Sequence, residues 1–115
     1  MSLSVYLYTE IDLGGEELYR VELFDLNITH NLSKMAKEAD LYEALWGAEE
    51  NKFYFASEIV PSLERGLTIL LENPNYFKQF NPVNSWGNYD NLVDFVTDYL
   101  EACETYPKAN IEVSR

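Results

Sequence analysis

The alternation of apolar and polar positions changes period twice along the chain, and those changes divide it into elements. From Ser4 to Glu10, Val5, Leu7 and Thr9 alternate with Ser4, Tyr6, Tyr8 and Glu10, the period of two that side chains adopt on a β-strand. Gly14-Gly15 supplies a turn, and alternation resumes over Leu18–Leu26, which predicts a hairpin. On this second strand Leu18, Arg20, Glu22, Phe24 and Leu26 fall on one face and Tyr19, Val21, Leu23 and Asp25 on the other, so both faces carry apolar residues. A two-sided strand of this kind, with a surplus of tyrosines, points to a subunit contact and a homo-oligomer.

The period then becomes helical. Leu32, Met35, Ala36 and Ala39 recur at helical spacing behind His30, and the pattern breaks near Asp40. Asp40 and Glu43 have the spacing of a capping box, predicting a second helical turn over Leu41–Trp46 that delivers Leu45 and Trp46 to the core and ends at Gly47. After an aromatic connector, Asn51–Phe55, Ser57 is the expected cap of a longer helix with the stripe Ile59, Leu63, Gly66, Leu67 and Leu70, and Pro61 falls in its permissive first turn. Asn73-Pro74 stops that helix, and a brief turn carrying Tyr76, Phe77 and Phe80 is closed by Asn81-Pro82. Leu92, Phe95, Val96, Tyr99, Leu100 and Cys103 define a last helix from about Asn88 to Tyr106, which Pro107 terminates. Ala109–Ser114 reads as a third strand, with Ile111 and Val113 on one face. Two strands, three to five helices and a closing strand predict one α+β domain over residues 1–115. Its hairpin and C-terminal strand form a three-stranded sheet, packed in two layers against the helices.

Composition narrows the setting. With 47% hydrophobic and 15% aromatic residues the chain is too apolar for disorder, and no apolar run approaches the length of about 20 residues that a membrane span requires. Met1-Ser2-Leu3-Ser4 lacks the basic and apolar regions of a secretory signal, and the lone Cys103 has no partner for an internal disulfide, so the cytoplasm is the expected location. Twenty acidic against eight basic residues give a net charge of −12, which opposes direct nucleic-acid binding. The acids run from Glu10 and Asp12 through Glu49 and Glu50 and onward without a block of five, as on a solvated surface; imitation of a phosphate backbone is the alternative.

Two segments carry the candidate chemistry, Asn27-Ile28-Thr29-His30-Asn31-Leu32 and the stretch from Asn81-Pro82 through Asn84-Ser85-Trp86-Gly87-Asn88-Tyr89 to Asp90. Each stands before a helical pattern, where backbone N–H groups have no intrahelical partner and Asn, Thr or His can either cap the helix or hold a ligand. His30, the only histidine, suits proton transfer, yet its neighbours Thr29, Asn31 and Lys34 include no carboxylate to orient the ring, so no catalytic residue is assigned. Trp86 and Tyr89 among amides have the chemistry that stacks a planar ring and bonds its edges; the competing reading is that Trp86 closes the core while Asn88 caps the last helix. One His and one Cys, without Cys-x-x-Cys or His-x-x-x-His, oppose a zinc site, while the abundance of carboxylates leaves a magnesium site open. Cys103 lies on an apolar stripe and reads as a small buried hydrophobe. No phosphate loop of the Gly-x-x-x-x-Gly-Lys type is present, and no cofactor is expected.

Taken together, the Asn-Ile-Thr-His-Asn-Leu segment with Met35-Ala36, Leu45-Trp46, the Asn81-Pro82-x-Asn84-x-Trp86-Gly87-x-Tyr89 segment and the Ser114-Arg115 ending resemble a family of small, mostly uncharacterised bacteriophage and bacterial proteins. The chain departs from that pattern at Asp40 and Ser85, where the family has glycine. The resemblance implies a phage or prophage setting in a bacterial cytoplasm and an accessory role against host defence. Three functions follow as expectations. The first is sequestration of a small polar or nucleotide-like ligand, such as a host immune signal, by Thr29, His30, Asn31, Lys34, Asn84, Trp86, Tyr89 and Arg115 without catalysis. The second is an acidic inhibitor that covers a host defence protein in place of DNA. The third is a metal-dependent hydrolase of small nucleotides.

Overall fold

The alternating N-terminal segment forms strand β1 (Ser2–Ile11), and its inward residues Leu3, Val5 and Leu7 are completely buried. In the computed structural model, which describes residues 1–115, β1 pairs antiparallel with β2 (Tyr19–Thr29) on one side and with β3 (Asn110–Ser114) on the other, giving the order β2-β1-β3. Leu3 lies opposite Ile28, Val5 opposite Leu26 and Val113, and Leu7 opposite Phe24 and Ile111, so one face of the sheet is apolar across all three strands.

That register contains a β-bulge. Leu7 faces Phe24 but Tyr8 faces Glu22, which leaves Leu23 as an extra, unpaired residue on β2. The extra residue switches the faces, so Val21, opposite Thr9, joins Phe24, Leu26 and Ile28 on the inner side while Glu22, Asp25 and Asn27 face outward. Strict alternation had divided these residues between two faces. The bulge accounts for the two-sided apolar pattern within one chain, and β2 no longer supplies a reason for a subunit contact. The outer face is polar: Asn27 Nδ2 donates to Ser2 Oγ (2.8 Å) and Ser4 Oγ (2.9 Å), and Arg20 lies 3.9 Å from the Tyr8 ring centroid while pairing with Glu112 (2.9 Å).

β2 ends in a 3-10 turn (His30–Leu32), followed by α1 (Ser33–Glu38), α2 (Tyr42–Leu45), α3 (Ala56–Glu72), α4 (Pro74–Lys78) and α5 (Tyr89–Thr105). The long helices α3 and α5 pack together and cover the inner face of the sheet with the shorter ones, and a single core of 26 buried residues draws on every element. Leu45 and Trp46 reach it as their spacing predicts. No helix is long and apolar enough to cross a membrane.

Two local expectations change. Ser57 does not cap α3; it lies in the first turn, and Glu58 Oε1 accepts from the backbone N–H of Phe55 (2.7 Å) and Tyr54 (3.0 Å) instead. The first α3 amides bond across the fold, Ala56 N to Ala109 O and Ser57 N to Pro107 O (2.9 Å each), which ties the approach to β3 onto the helix start. Asp40 does not cap α2; it has φ of 61° and pairs with Arg65 Nε at 3.2 Å, both side chains being exposed.

Gly66 sits where α3 passes the Leu41 side chain, and a Cβ there would overlap it. Gly66→Ala gains about 1 kcal/mol of helix propensity yet is expected to destabilise the fold by about 1–2 kcal/mol net through overpacking, measured by urea denaturation. Cys103 is fully buried in α5, and burial pushes its thiol from the ordinary 9.0 up to about 12, while burial also raises the Tyr99 phenol. The unfolded chain therefore releases protons that the folded one retains, so stability is expected to fall as pH rises from 9 toward 12. Denaturant midpoints across that range check the sign, and a thiol reagent should label Cys103 only on unfolding.

Candidate functional site

Asn27-Ile28-Thr29 is the last part of β2, which runs past Leu26 to Thr29, and alternation sends Ile28 into the core and Asn27 and Thr29 to the other side. The second segment is a loop from Asn81 to Asn88 between α4 and α5. Asn84 Oδ1 accepts from Trp86 N (3.1 Å), Asn31 Nδ2 donates to Trp86 O (3.4 Å), and Gly87 has φ of 90°. A Cβ on Gly87 would stand 2.7 Å from Thr29 Cγ2 and 3.1 Å from Leu32 Cδ1, so glycine allows the loop to rest directly on the end of β2. The two segments thus meet.

Between them lies a cleft of about 590 Å³, walled by the amides of Asn27, Asn31 and Asn84, by Thr29, His30 and Trp86, and by Met1-Ser2 at the start of β1. Trp86 is 70% exposed and does not close the core, although Asn88 does cap α5. The His30 ring meets Trp46 edge-on, with centroids 6.2 Å apart and planes at 88°, and its buried Nε2 has no hydrogen-bond partner. No carboxylate bonds to the ring.

Five of the eight residues expected at the site, Thr29, His30, Asn31, Asn84 and Trp86, line this cleft. The other three do not. Tyr89 is buried, its hydroxyl donating to Leu70 O (2.6 Å) and its backbone N–H to Asn81 Oδ1 (2.8 Å). Lys34 Nζ lies 5.5 Å from the Phe80 ring centroid, and Arg115 donates to Trp46 O (3.0 Å) and pairs with Glu50 (2.8 Å). No Lys or Arg lines the cleft. Met1 and Ser2 were missed, because only the pairing of Ser2 with Thr29 places the N-terminus here.

The helix-start amides are also accounted for. Asn31 N donates to Thr29 Oγ1 (3.2 Å), His30 N to Met1 O (3.2 Å), and Asn88 and Asn91 exchange backbone-to-side-chain bonds of 2.9 Å in a capping box. A ligand in the cleft is therefore not held by free N–H groups at these helix starts. Elsewhere in the fold, no three His, Cys, Asp or Glu side chains converge in an arrangement that could hold a metal ion.

No protein-family model matches the chain, and no curated protein or solved structure matches it either. Asp40 and Ser85 have φ of 61° and 62°, the left-handed region in which glycine is favoured. Ser85→Gly is accordingly expected to stabilise the protein by about 0.5–1 kcal/mol. Gly87→Ala, with a positive φ and an obstructed Cβ, should cost about 1–3 kcal/mol. Thermal melts of the two variants, moving in opposite directions, check both.

Proposed function

We propose that the protein binds and holds a small polar, nucleotide-like ligand in the cleft between the end of β2 and the 81–88 loop, without turning it over. The observation that carries this reading is the convergence of two polar segments, 53 residues apart from Asn31 to Asn84, on one cleft roofed by an exposed tryptophan whose backbone is pinned. A planar ring stacked on Trp86 would meet the amides of Asn27, Asn31 and Asn84 at its edges. With no lysine or arginine on the cleft and a net charge of −12, recognition falls on the ring and sugar, and nucleosides should bind at least as tightly as their phosphates. In the phage or prophage setting that the resemblance implies, retention of such a ligand would withdraw a host signal.

Base–aromatic stacking is worth about 1–3 kcal/mol, so Trp86→Ala is expected to weaken binding by about tenfold or more while the fold persists, and Asn31→Ala by a similar factor. The test incubates the protein with nucleosides and with linear and cyclic nucleotides, follows tryptophan fluorescence, and then heats the complex to release what was bound. Intact recovered ligand supports the proposal. Cleaved product, or no uptake of any member of the panel, overturns it.

A second reading, a protein-binding acidic factor, is favoured by α5, where Asp90, Asp94, Asp98 and Glu101 are exposed along one helical face.

A further inference from the structure

β2 is an edge strand, and its outer side has no partner. The opposite edge is covered at the start of β3: Phe55 bridges to Asn110, and Ile111 N donates to Tyr54 O at 2.9 Å. Register identifies the free groups on β2. Because His30 N donates to Met1 O, the antiparallel alternation has Ile28, Leu26 and Phe24 exchanging hydrogen bonds with Leu3, Val5 and Leu7. The N–H and C=O of Asp25 and Asn27 therefore point away from β1, and nothing else in the chain bonds to them. Edge strands are commonly protected by proline, lysine or a bulge; the bulge of β2 lies at Leu23, and the stretch Phe24–Ile28 beyond it contains neither proline nor lysine.

A groove of about 300 Å³ follows this edge between β2 and α5. Leu26, Ile28, Leu32 and Phe95 give it an apolar floor, and Asp94 and Asp98 of α5 form its far wall. Neither aspartate has an ion-pair partner, and neither has Asp25 on the outer side of the strand.

We propose that this edge is a strand-addition site for an extended basic segment of a partner protein, which pairs with the backbone of Asp25 and Asn27 and sets lysine or arginine heads against Asp94 and Asp98. Alternate residues of an added strand point into the groove, where the aliphatic stems of Lys or Arg fit the Leu26–Phe95 floor and their charged ends reach the wall. Charge selects this occupant over a second copy of the chain, which would bring its own net −12 to the same carboxylates. The site gives the protein-binding reading a location and does not depend on ligand retention in the neighbouring cleft.

The test uses the full chain, isotopically labelled, at low salt, with a blocked octapeptide of alternating lysine and valine as probe. Binding is expected to shift the amide resonances of Asp25 and Asn27 and slow their hydrogen exchange. Joint replacement Asp94→Asn and Asp98→Asn should weaken it about tenfold, as loss of two partly exposed charge pairs implies, while nucleoside-induced Trp86 fluorescence changes stay as they were. Asn27→Pro, which removes an outward N–H at an edge position that tolerates proline, should abolish peptide binding, whereas Asn27→Ala should retain it. A peptide N-methylated at alternate residues keeps its charge but lacks the donors, and is expected not to bind, which tests the pairing without altering the protein. Equal binding of the N-methylated peptide or of a glutamate–valine peptide would overturn the proposal. So would unshifted Asp25 and Asn27 amides at millimolar lysine–valine peptide, or protection of those amides by self-association alone.

Discussion

Every functional placement on this molecule depends on one unpaired residue, Leu23. A strand's side chains alternate with a strict period of two, so a one-residue slip moves its whole apolar set to the opposite face. At the tip of the hairpin Val21 lies inward opposite Thr9, and without a bulge Leu23 and Asp25 would follow it, with Asn27 and Thr29 behind them. The bulge inserts the extra residue before Phe24, so Phe24, Leu26 and Ile28 pack under α5 while Asn27 and Thr29 emerge on the polar side next to Ser2. The 3-10 turn then starts with His30 at the rim of the sheet. Removing the bulge would bury three polar side chains, Asp25, Asn27 and Thr29, and expose three large hydrophobes.

The same feature explains what could and could not be read from the chain. Periods of two and of 3.6 residues were legible because β1, α3 and α5 each bury one uninterrupted stripe and the short β3 sets Ile111 and Val113 opposite Leu7 and Val5. The inner face of β2 was not, since a bulge leaves no mark in composition and appears only when the strand is paired with β1. Of the two local caps, Asn88 was legible and bonds Asn91 three residues on, whereas Asp40 takes a left-handed backbone and does not cap α2. The start of α3 was not, because its amides bond to Pro107 and Ala109, some fifty residues away in sequence and brought close by the return of the chain into β3. Within the site, the segments carrying Thr29, His30, Asn31, Asn84 and Trp86 stood out by residue type. Lys34, Tyr89 and Arg115 fell away because adjacency in sequence does not set direction: a helix step turns Lys34 toward Phe80, and the first turn of α5 turns Tyr89 toward Leu70.

Capping and ligand binding draw on the same side chains, and here the division between them is clear. Thr29 Oγ1, Asn81 Oδ1 and Asn88 Oδ1 each accept from a backbone N–H, so their acceptors stabilise turns and helix starts. What remains toward the cleft is the exposed ring of Trp86, supported from behind by the bond from Asn31 to its carbonyl, together with side chains at the 29–31 corner. An aromatic surface held by its backbone loses little conformational freedom when a ring stacks on it, which favours association without adding contacts.

Electrostatics separates the cleft from the groove beside it even though Asn27 and Thr29 border both. On the cleft side no Asp, Glu, Lys or Arg side chain lines the wall, so selectivity there comes from shape and hydrogen bonding. On the groove side Asp94 and Asp98 stand without partners above an apolar floor, and the nearest backbone donors and acceptors of β2 are unpaired. A neutral planar molecule suits the first surface and a cationic extended chain the second. The chain's −12 charge acts in opposite directions on the two, weakening any phosphate group near the cleft and drawing a basic segment to the edge. Raising the ionic strength should therefore leave cleft binding by a nucleoside nearly unchanged and weaken peptide binding at the edge, because only the second is an attraction between exposed charges that mobile ions screen over about 10 Å at 0.1 M salt. Parallel titrations of the two probes across that range would separate the surfaces without altering a residue, and an equal salt response from both would mean that they share one site.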